Sequence, residues 1–148
     1  MAVALEEAEA AGAAGDVPVG AVVLGADGDL LARAGNERER SGDPTAHAEV
    51  LALWAAAART GSWRLTRATV VVTLEPCPMC AGALLSARVA RLVFGAADPK
   101  AGACGSLYNL CVDPRLNHEL AVTEGLRADA CADVLSRFFQ RKRLAPPL

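Results

Sequence analysis

The chain has 148 residues, of which 53% are hydrophobic and 22% are charged. This balance is typical of one globular domain, residues 1–148, and excludes an intrinsically disordered chain. The net charge of −2 excludes a protein that binds nucleic acid through overall positive charge, so any such contact must come from local clusters.

The first third of the sequence predicts a helix followed by a β-hairpin. Alanine-rich residues 2–14 predict the helix, and β-branched residues predict a strand over 17–25. The dipeptide Asp27-Gly28 is typical of a tight turn, so we expect a paired strand over 29–35. The first helix is acidic where a secretory signal would be basic, and no apolar run is long enough to span a bilayer. We therefore expect a soluble, cytoplasmic protein.

A second helix is predicted after a polar loop over residues 36–44. Asp43 can serve as the N-cap of this helix and Pro44 as its first residue, so the helix would begin near residue 45. It would continue to residue 59 and end at Gly61, since glycine adopts the backbone conformation that terminates helices.

The remaining chain alternates strands and helices. Nearly continuous apolar runs over 68–74 and 89–94 predict strands buried on both faces, with a helix over 77–86 between them. Residues 119–123 predict a short strand and residues 126–142 a closing helix. Five strands with helices between them, one pair being a hairpin, predict an α/β fold: a three-layer α/β/α sandwich with a mixed five-stranded sheet.

Three short segments carry residues suited to metal chemistry. They are Thr45-Ala46-His47-Ala48-Glu49, Thr73-Leu74-Glu75-Pro76-Cys77 and Pro78-Met79-Cys80. Together they match the H-x-E…P-C-x-x-C signature of zinc-dependent nucleobase deaminases. The chain has five cysteines, an odd number that argues against a full disulfide framework and favours metal or redox chemistry for the closely spaced pair.

The set of donors predicts a catalytic zinc. Zinc prefers four tetrahedral ligands, and His47, Cys77 and Cys80 supply three, which leaves one position open for water. We predict one zinc ion per subunit, a water activated by it, and Glu49 as the residue that moves protons between water and substrate. Glu49 is not expected to bind the metal, because a fourth protein ligand would close the site.

Both metal segments fall at predicted helix N-termini. The partial positive charge there favours thiolate over thiol at Cys77 and Cys80. Residues two apart on a helix do not share a face. His47 and Glu49 can therefore converge only if the zinc lies over the end of their helix.

Two other interpretations of the cysteine pair stay open from the residues alone. Cys77 and Cys80 could form a thioredoxin-like redox couple, although this leaves the His-x-Glu segment unexplained. A closed structural zinc would need a fourth ligand, for which Cys104, Cys111 and His118 are available.

Several further residues are interpreted as structural. They are Cys104, Cys111 and Cys131 as small packing residues, His118 as a hydrogen-bonding residue, and Trp54 and Trp63 as packing residues beside the second helix.

The chain resembles the bacterial tRNA adenosine deaminases (the TadA type). The likeness covers almost all of it beyond the first dozen residues, in segments 16–22, 45–53, 73–83, 91–107, 116–118, 123–125 and 135–139. It implies a cytidine-deaminase-like fold, a homodimer, and hydrolytic conversion of adenosine to inosine at the wobble position of a tRNA anticodon. The chain departs from the family in its short first helix, which lacks aromatic residues before the first strand.

The resemblance also implies roles for single residues. Asn36 matches the asparagine that hydrogen-bonds the flipped base, and Asp98 matches a residue near the substrate ribose. Leu74 and Glu75 match positions beside the pocket. Pro99 is a local variation in the substrate loop. From the residues alone, Asn36 and Asp98 are also ordinary turn residues.

A basic cluster closes the chain, and it predicts contact with RNA. The cluster comprises Arg137, Arg141, Lys142 and Arg143. Favourable charge at a helix C-terminus explains part of it. Four cations in seven residues of a net acidic protein also predict contact with phosphates of a tRNA anticodon loop. For the homodimer, we expect the junction near residues 85–91.

Three functions compete. The leading prediction is a tRNA adenosine deaminase. A deaminase of a free base or nucleoside, such as guanine or cytosine, would share the chemistry; free-cytidine deaminases usually have Cys at the position of His47, whereas guanine deaminases share segment 75–80. The third is a non-catalytic, zinc-containing RNA-binding scaffold, against which the presence of Glu49 argues.

Overall fold

A single mixed sheet forms the middle of the molecule. The computed structural model describes residues 1–147. The strands are Gly20–Leu24 (β1), Leu30–Gly35 (β2), Thr69–Leu74 (β3), Arg91–Ala96 (β4) and Ala121–Thr123 (β5). They lie in the order β2-β1-β3-β4-β5, with β1 antiparallel to both neighbours and β3, β4 and β5 parallel. The predicted five-stranded mixed sheet is confirmed.

Helices cover both faces of this sheet. They are Ala2–Ala13 (α1), Arg38–Ser41 (α2), Ala48–Thr60 (α3), Pro78–Ser86 (α4) and Ala128–Leu144 (α5), with a short 3-10 helix at Leu110–Val112. Helices α1 and α5 pack on one face, whereas α3 and α4 pack on the other. This arrangement confirms the predicted three-layer sandwich. No helix within residues 1–147 has the length and apolar character needed to cross a membrane.

Alternation along the central strands explains their continuous apolar sequences. In β3, Val70 and Val72 are fully buried in the core beneath α3 and α4. Val71, between them, packs with Val22 and Ala4 on the α1 face. Because successive side chains of a strand point to opposite faces, a strand covered on both sides must be apolar at every position.

Some predicted boundaries are wrong, and the site explains why. Helix α3 begins at Ala48 rather than at residue 45, because His47 has an extended backbone (φ −75°, ψ 149°) and occupies the N-cap position. Asp43 does not cap the helix; its carboxylate accepts hydrogen bonds from the N–H and hydroxyl of Thr45, both at 2.8 Å. The predicted loop over 36–44 contains the short helix α2.

The first strand also begins later than predicted, at Gly20 rather than at residue 17. Helix α1 crosses directly over this point, and a Cβ atom on Gly20 would collide with the carbonyl oxygen of Ala4. Glycine thus permits the close approach of helix and strand here. Residues 17–19 are left outside the sheet, at the edge where the functional site forms.

Trp54 and Trp63 do not pack in the core, contrary to the prediction. Their side chains are 74% and 57% exposed. Helix α3 turns a stripe of small residues, Ala48, Ala52 and Ala56, towards the sheet, and all three are fully buried. The stripe repeats every four residues, which places Trp54 on the other side of the helix.

Candidate active site

The candidate site lies at the edge of the sheet where β1 begins and β3 and β4 end. A cavity of about 180 Å³ opens here. Its lining comes from five places: the segment before β1, the segment from the end of β2 into α2, the N-terminus of α3, the β3–α4 connection and the loop after β4. A water molecule occupies about 30 Å³ in the liquid, so the cavity has room for several waters or for one small planar group.

Three side chains at this edge have the geometry of a zinc site. The Nδ1 atom of His47 lies 3.4 Å from the Sγ atom of Cys80 and 3.7 Å from that of Cys77. All three donor atoms lie within 4.8 Å of one another. Zn–S and Zn–N bonds of about 2.3 and 2.1 Å at a tetrahedral angle place N and S about 3.6 Å apart. The donors therefore fit a tetrahedral zinc ion.

The electrostatics of the cysteine pair also suit a metal. The pKa of Cys77 is lowered to about 4, chiefly by a hydrogen bond from the thiol of Cys80 and also by the hydrogen bond with His47. The same contact, together with burial, raises the pKa of Cys80. One sulfur is thus already a thiolate beside His47, whose own pKa is raised by its hydrogen bond to Cys77. Thiolate is the form that binds zinc.

Glu49 lies in the same cavity but outside the cluster of donors. Its side chain is only 4% exposed, and the described residues contain no metal-donor group that includes it. Burial raises the pKa of its carboxyl group. A carboxyl with a raised pKa can both accept and donate protons near neutral pH.

The end of helix α3 brings His47 and Glu49 together. His47 is the N-cap residue and Glu49 lies in the first turn, and both line the cavity. They do not share a face along the flank of the helix. The convergence occurs over the helix end, as the spacing of the two residues requires.

Asn36 and Asp98 both line the cavity, and both also hold the local backbone. The side-chain amide of Asn36 donates to the carbonyl of Val17 at 3.1 Å, and its oxygen accepts from the N–H of Arg38 at 3.2 Å. An oxygen of Asp98 accepts from the N–H groups of residues 100 and 101. The amide and carboxylate each keep further hydrogen-bonding capacity.

Glu75 has a role that the sequence did not reveal. Its carboxylate is 2% exposed and accepts hydrogen bonds from the N–H groups of Asp98, Cys104 and Ser106, each at 3.0 Å, and from the Ser106 hydroxyl. Burial alone would raise the pKa of Glu75, but these donors outweigh it and lower the pKa. Glu75 thereby fixes the loop over 98–106. The sequence offered a charged residue closing an apolar strand, and the family resemblance placed Glu75 beside the pocket, but neither indicated this anchoring role.

Arg38 is a second site residue that the sequence did not reveal. It is the first residue of α2 and it lines the cavity. Helix α2 was itself not predicted, so nothing in the sequence placed this side chain at the site.

The other cysteines and His118 lie outside the metal cluster. Cys104 and Cys111 are buried with their sulfurs 3.5 Å apart, and Cys131 is buried as well. The Nε2 atom of His118 lies 2.8 Å from the carbonyl of Val89. Within residues 1–147 the cluster thus has no fourth donor of this kind, which removes support for a closed structural zinc.

The basic cluster lies at the end of α5. Arg137 forms an ion pair with Glu9 of α1 at 3.1 Å, and Lys142 lies over the ring of Phe138. Arg141 and Arg143 are exposed. A Cβ atom on Gly12 would lie 3.8 Å from the ring of Phe138 and 3.2 Å from the side chain of Pro18, so both side chains lie beside Gly12. Pro18 belongs to the segment that lines the cavity, so the end of α5 lies on that side of the molecule.

Comparisons with known proteins agree with this geometry. Residues 1–96 match the family described as the cytidine and deoxycytidylate deaminase zinc-binding region. The tRNA-specific adenosine deaminase of Bacillus subtilis (strain 168) is 47% identical over 143 residues, which cover 97% of this chain and 88% of the relative. The enzyme of the same name from Haemophilus influenzae is also 47% identical, over 97% of this chain and 83% of the relative.

Solved structures give the same result. A structure from studies of A-to-I editing by tRNA:A34 deaminases at the wobble position of transfer RNA has a TM-score of 0.88 at 43% identity, covering 91% of this chain and 97% of that one. Guanine deaminase from Nitrosomonas europaea has a TM-score of 0.77 at 29% identity, covering 93% of this chain and 81% of that one. The chain therefore belongs to the zinc-dependent cytidine and deoxycytidylate deaminase family, among the tRNA-specific adenosine deaminases.

Proposed function

We propose that this chain is a zinc-dependent hydrolase that converts adenosine to inosine at the wobble position of a tRNA anticodon loop. The observation that carries the proposal is the cluster of His47, Cys77 and Cys80 at tetrahedral distances, with the buried carboxyl of Glu49 in the same cavity. The Bacillus subtilis and Haemophilus influenzae relatives are both named for activity on tRNA adenosine.

We assign one zinc ion to each chain, held by His47, Cys77 and Cys80. Zinc bound to these residues would polarise a water molecule and make it nucleophilic near neutral pH. Three protein donors leave room for that water beside Glu49. The protein contributes a preformed cluster whose Cys77 is already a thiolate.

Glu49 moves the protons of the reaction. Its carboxylate accepts a proton from the attacking water and delivers it to a ring nitrogen of adenine. It then takes the remaining water proton, which is now on the new C6 hydroxyl group, and gives it to the amino group. The C–N bond breaks, ammonia leaves, and the oxygen of water remains on C6 as the carbonyl of inosine. Burial of Glu49 excludes bulk water from these transfers.

Substrate contacts are assigned to Asn36 and Asp98, for the base and the ribose respectively. Both line the cavity and keep hydrogen-bonding capacity beyond their backbone contacts. The cavity is small, about 180 Å³, so the base must leave its stack to enter it. Bases of an anticodon loop are already unpaired, which lowers the cost of this step.

The basic end of α5 is assigned to RNA phosphates. Its residues are Arg137, Arg141, Lys142 and Arg143. The positions of Phe138 and Pro18, both beside Gly12, support this, since they place the end of the helix on the cavity side. The ion pair of Arg137 with Glu9 makes Arg137 the least available of the four cations.

We propose that the chain acts as a homodimer. An apolar groove lies between α3 and α4 and contains the exposed side chains of Trp54 and Trp63. Exposed tryptophans around a groove of this kind typify a protein interface. The groove continues to residues 86 and 87, so it overlaps the junction expected near residues 85–91.

A product assay tests the function. The protein is incubated separately with an adenosine-bearing anticodon stem-loop, free adenosine and guanine, and the products are separated by chromatography. We expect inosine and an equal amount of ammonia from the stem-loop only. Rapid formation of xanthine from guanine, with an unchanged stem-loop, would instead support the free-base alternative that the likeness to guanine deaminase raises.

A further inference from the structure

We propose that Arg38 binds a phosphate of the RNA backbone at the mouth of the active-site cavity, next to the nucleotide whose base enters it. The proposal rests on the proposed function and deepens it. It assigns to one residue the preference for a nucleotide within a polynucleotide over a free base.

The position of Arg38 supports this role. It lines the cavity together with Asn36, Glu49 and Asp98, yet it is exposed to solvent. A residue that is both exposed and part of the lining lies at the rim. The rim is where the backbone of an RNA must stay when its base is inside.

The guanidinium of Arg38 is free to bind. Four other arginines form ion pairs with carboxylates, namely Arg33, Arg40, Arg115 and Arg137. Arg40, two residues further along α2, pairs with Glu37 at 2.6 Å. Among residues 1–147, the side chain of Arg38 takes part in no ion pair and no side-chain hydrogen bond.

The backbone around Arg38 is nevertheless held firmly. Helix α2 has only four residues, too few to be stable alone. The N–H of Arg38 donates to the side-chain oxygen of Asn36. The fully buried carboxylate of Asp16 accepts from the N–H groups of Glu39, at 2.6 Å, and Arg40, at 3.3 Å. Two side chains from outside the helix thus fix the point from which Arg38 projects.

The charges around the cavity indicate what Arg38 would bind. The other oxygen-bearing ionisable side chains of the lining are Glu49, Glu75 and Asp98, and Arg38 is the one arginine or lysine among the lining residues. Arg38 is a cation at the rim. A guanidinium matches the geometry of two phosphate oxygens and forms charge-assisted hydrogen bonds with them. A free base has no phosphate and gains nothing from it.

The test compares Arg38→Gln and Arg38→Lys with Arg40→Gln as the matched control. Steady-state kinetics use the anticodon stem-loop, and binding is measured over a series of salt concentrations. For Arg38→Gln we expect KM to rise roughly tenfold with kcat little changed, because the variant loses one charge-assisted hydrogen bond to the RNA. The slope of log affinity against log salt should fall by about 0.7. Arg38→Lys should recover part of the loss, and Arg40→Gln should behave as wild type.

Two results would overturn the proposal. One is an unchanged salt slope for Arg38→Gln, and the other is an equal loss for Arg40→Gln. Zinc content and circular dichroism show that each variant is folded. The proposed function has its own test: a wild-type protein that makes no inosine from the stem-loop would contradict it. The role of Arg38 is decided independently, by the salt dependence of stem-loop binding.

Discussion

Ser106 donates two hydrogen bonds to Glu75, one from its hydroxyl and one from its backbone N–H, to the two different oxygens of the carboxylate. The N–H groups of Asp98 and Cys104 donate to the same carboxylate. A single buried side chain at the end of β3 therefore determines the shape of the loop that carries Asp98. The part of the cavity that Asp98 lines therefore depends on this anchor.

Glu75→Gln should loosen that loop. Glutamine offers one acceptor oxygen and turns an NH₂ group towards N–H donors, so we expect a loss of stability of about 1–3 kcal/mol and lower activity on RNA. The lowered pKa of Glu75 means that its ionised form stabilises the fold above the unfolded pKa of 4.5, and that this contribution is lost as pH falls through the folded pKa. Urea unfolding at neutral and acid pH checks this.

The variant Ser106→Ala serves as the comparison for Glu75→Gln, because it removes one donor and leaves the carboxylate in place. Its cost should be smaller. A difference between Glu75→Gln and wild type that grows as the pH becomes acid would contradict the assigned sign.

Cys80→Ser should abolish stable zinc binding. The variant leaves only His47 and Cys77 as good donors, and a serine hydroxyl is a poor zinc ligand near neutral pH. Metal analysis of purified protein should give close to one zinc per chain for wild type and far less for Cys80→Ser. Cys131→Ser is the control, since Cys131 is buried but outside the cluster. Full zinc content in Cys80→Ser would refute the assignment of the ligands.

Glu49→Gln should keep zinc but lose deamination. Removal of a general acid–base group typically costs about 10²–10⁴-fold in rate. The raised pKa of Glu49 also predicts a pH effect in metal-free protein. Burial favours the protonated form, so the contribution of Glu49 to wild-type stability should fall as pH rises from the unfolded pKa of 4.5 towards the folded pKa.

Glu49→Gln should lack that fall and be the more stable of the two at neutral pH. Thermal unfolding in the presence of a chelator measures it. Loss of zinc from this variant would mean that Glu49 is a ligand rather than a proton shuttle.

Neutralising the end of α5 should weaken RNA binding in a salt-dependent manner. In the triple variant Arg141→Gln, Lys142→Gln, Arg143→Gln, the salt slope should fall by about 0.7 for each phosphate that the helix no longer neutralises. Arg67→Gln is the control, because Arg67 is exposed before the start of β3, at the edge opposite the cavity. Equal effects of the two changes on stem-loop affinity would show that the basic end has no specific role.

Local patterns predicted much of the molecule, because the responsible residues are neighbours in sequence. The run 68–74 is apolar at almost every position, so a strand covered on both faces was foreseeable. The His-x-Glu and Cys-x-x-Cys spacings predicted the cluster of zinc donors in the same way. A site whose residues have a fixed short spacing can be recognised as a motif in a single sequence.

Contacts between segments that are distant in sequence form no such motif and were not predicted. The donors to Glu75 lie 23 to 31 residues away, and Asp16 holds α2 across 23 and 24 residues. Trp54 was misplaced for a related reason. An alanine-rich helix shows little contrast between its sides, so its buried face could not be chosen from hydrophobicity alone.

Trp54→Glu should convert a dimer into a monomer without unfolding the chain. The side chain is 74% exposed, so a charge there costs little in the isolated subunit, whereas burying that charge in an apolar interface is costly. Sedimentation equilibrium should give twice the chain mass for wild type and the chain mass of 15.3 kDa for the variant.

The matched control is Leu144→Glu, which places the same charge on a side chain that is 85% exposed at the end of α5, outside the groove. A stable interface buries roughly 1,200–2,000 Å², and a groove lined by two exposed tryptophans is well suited to anchor one. A wild-type protein that sediments as a monomer, or a Trp54→Glu variant that remains dimeric, would place the subunit contact elsewhere on the molecule.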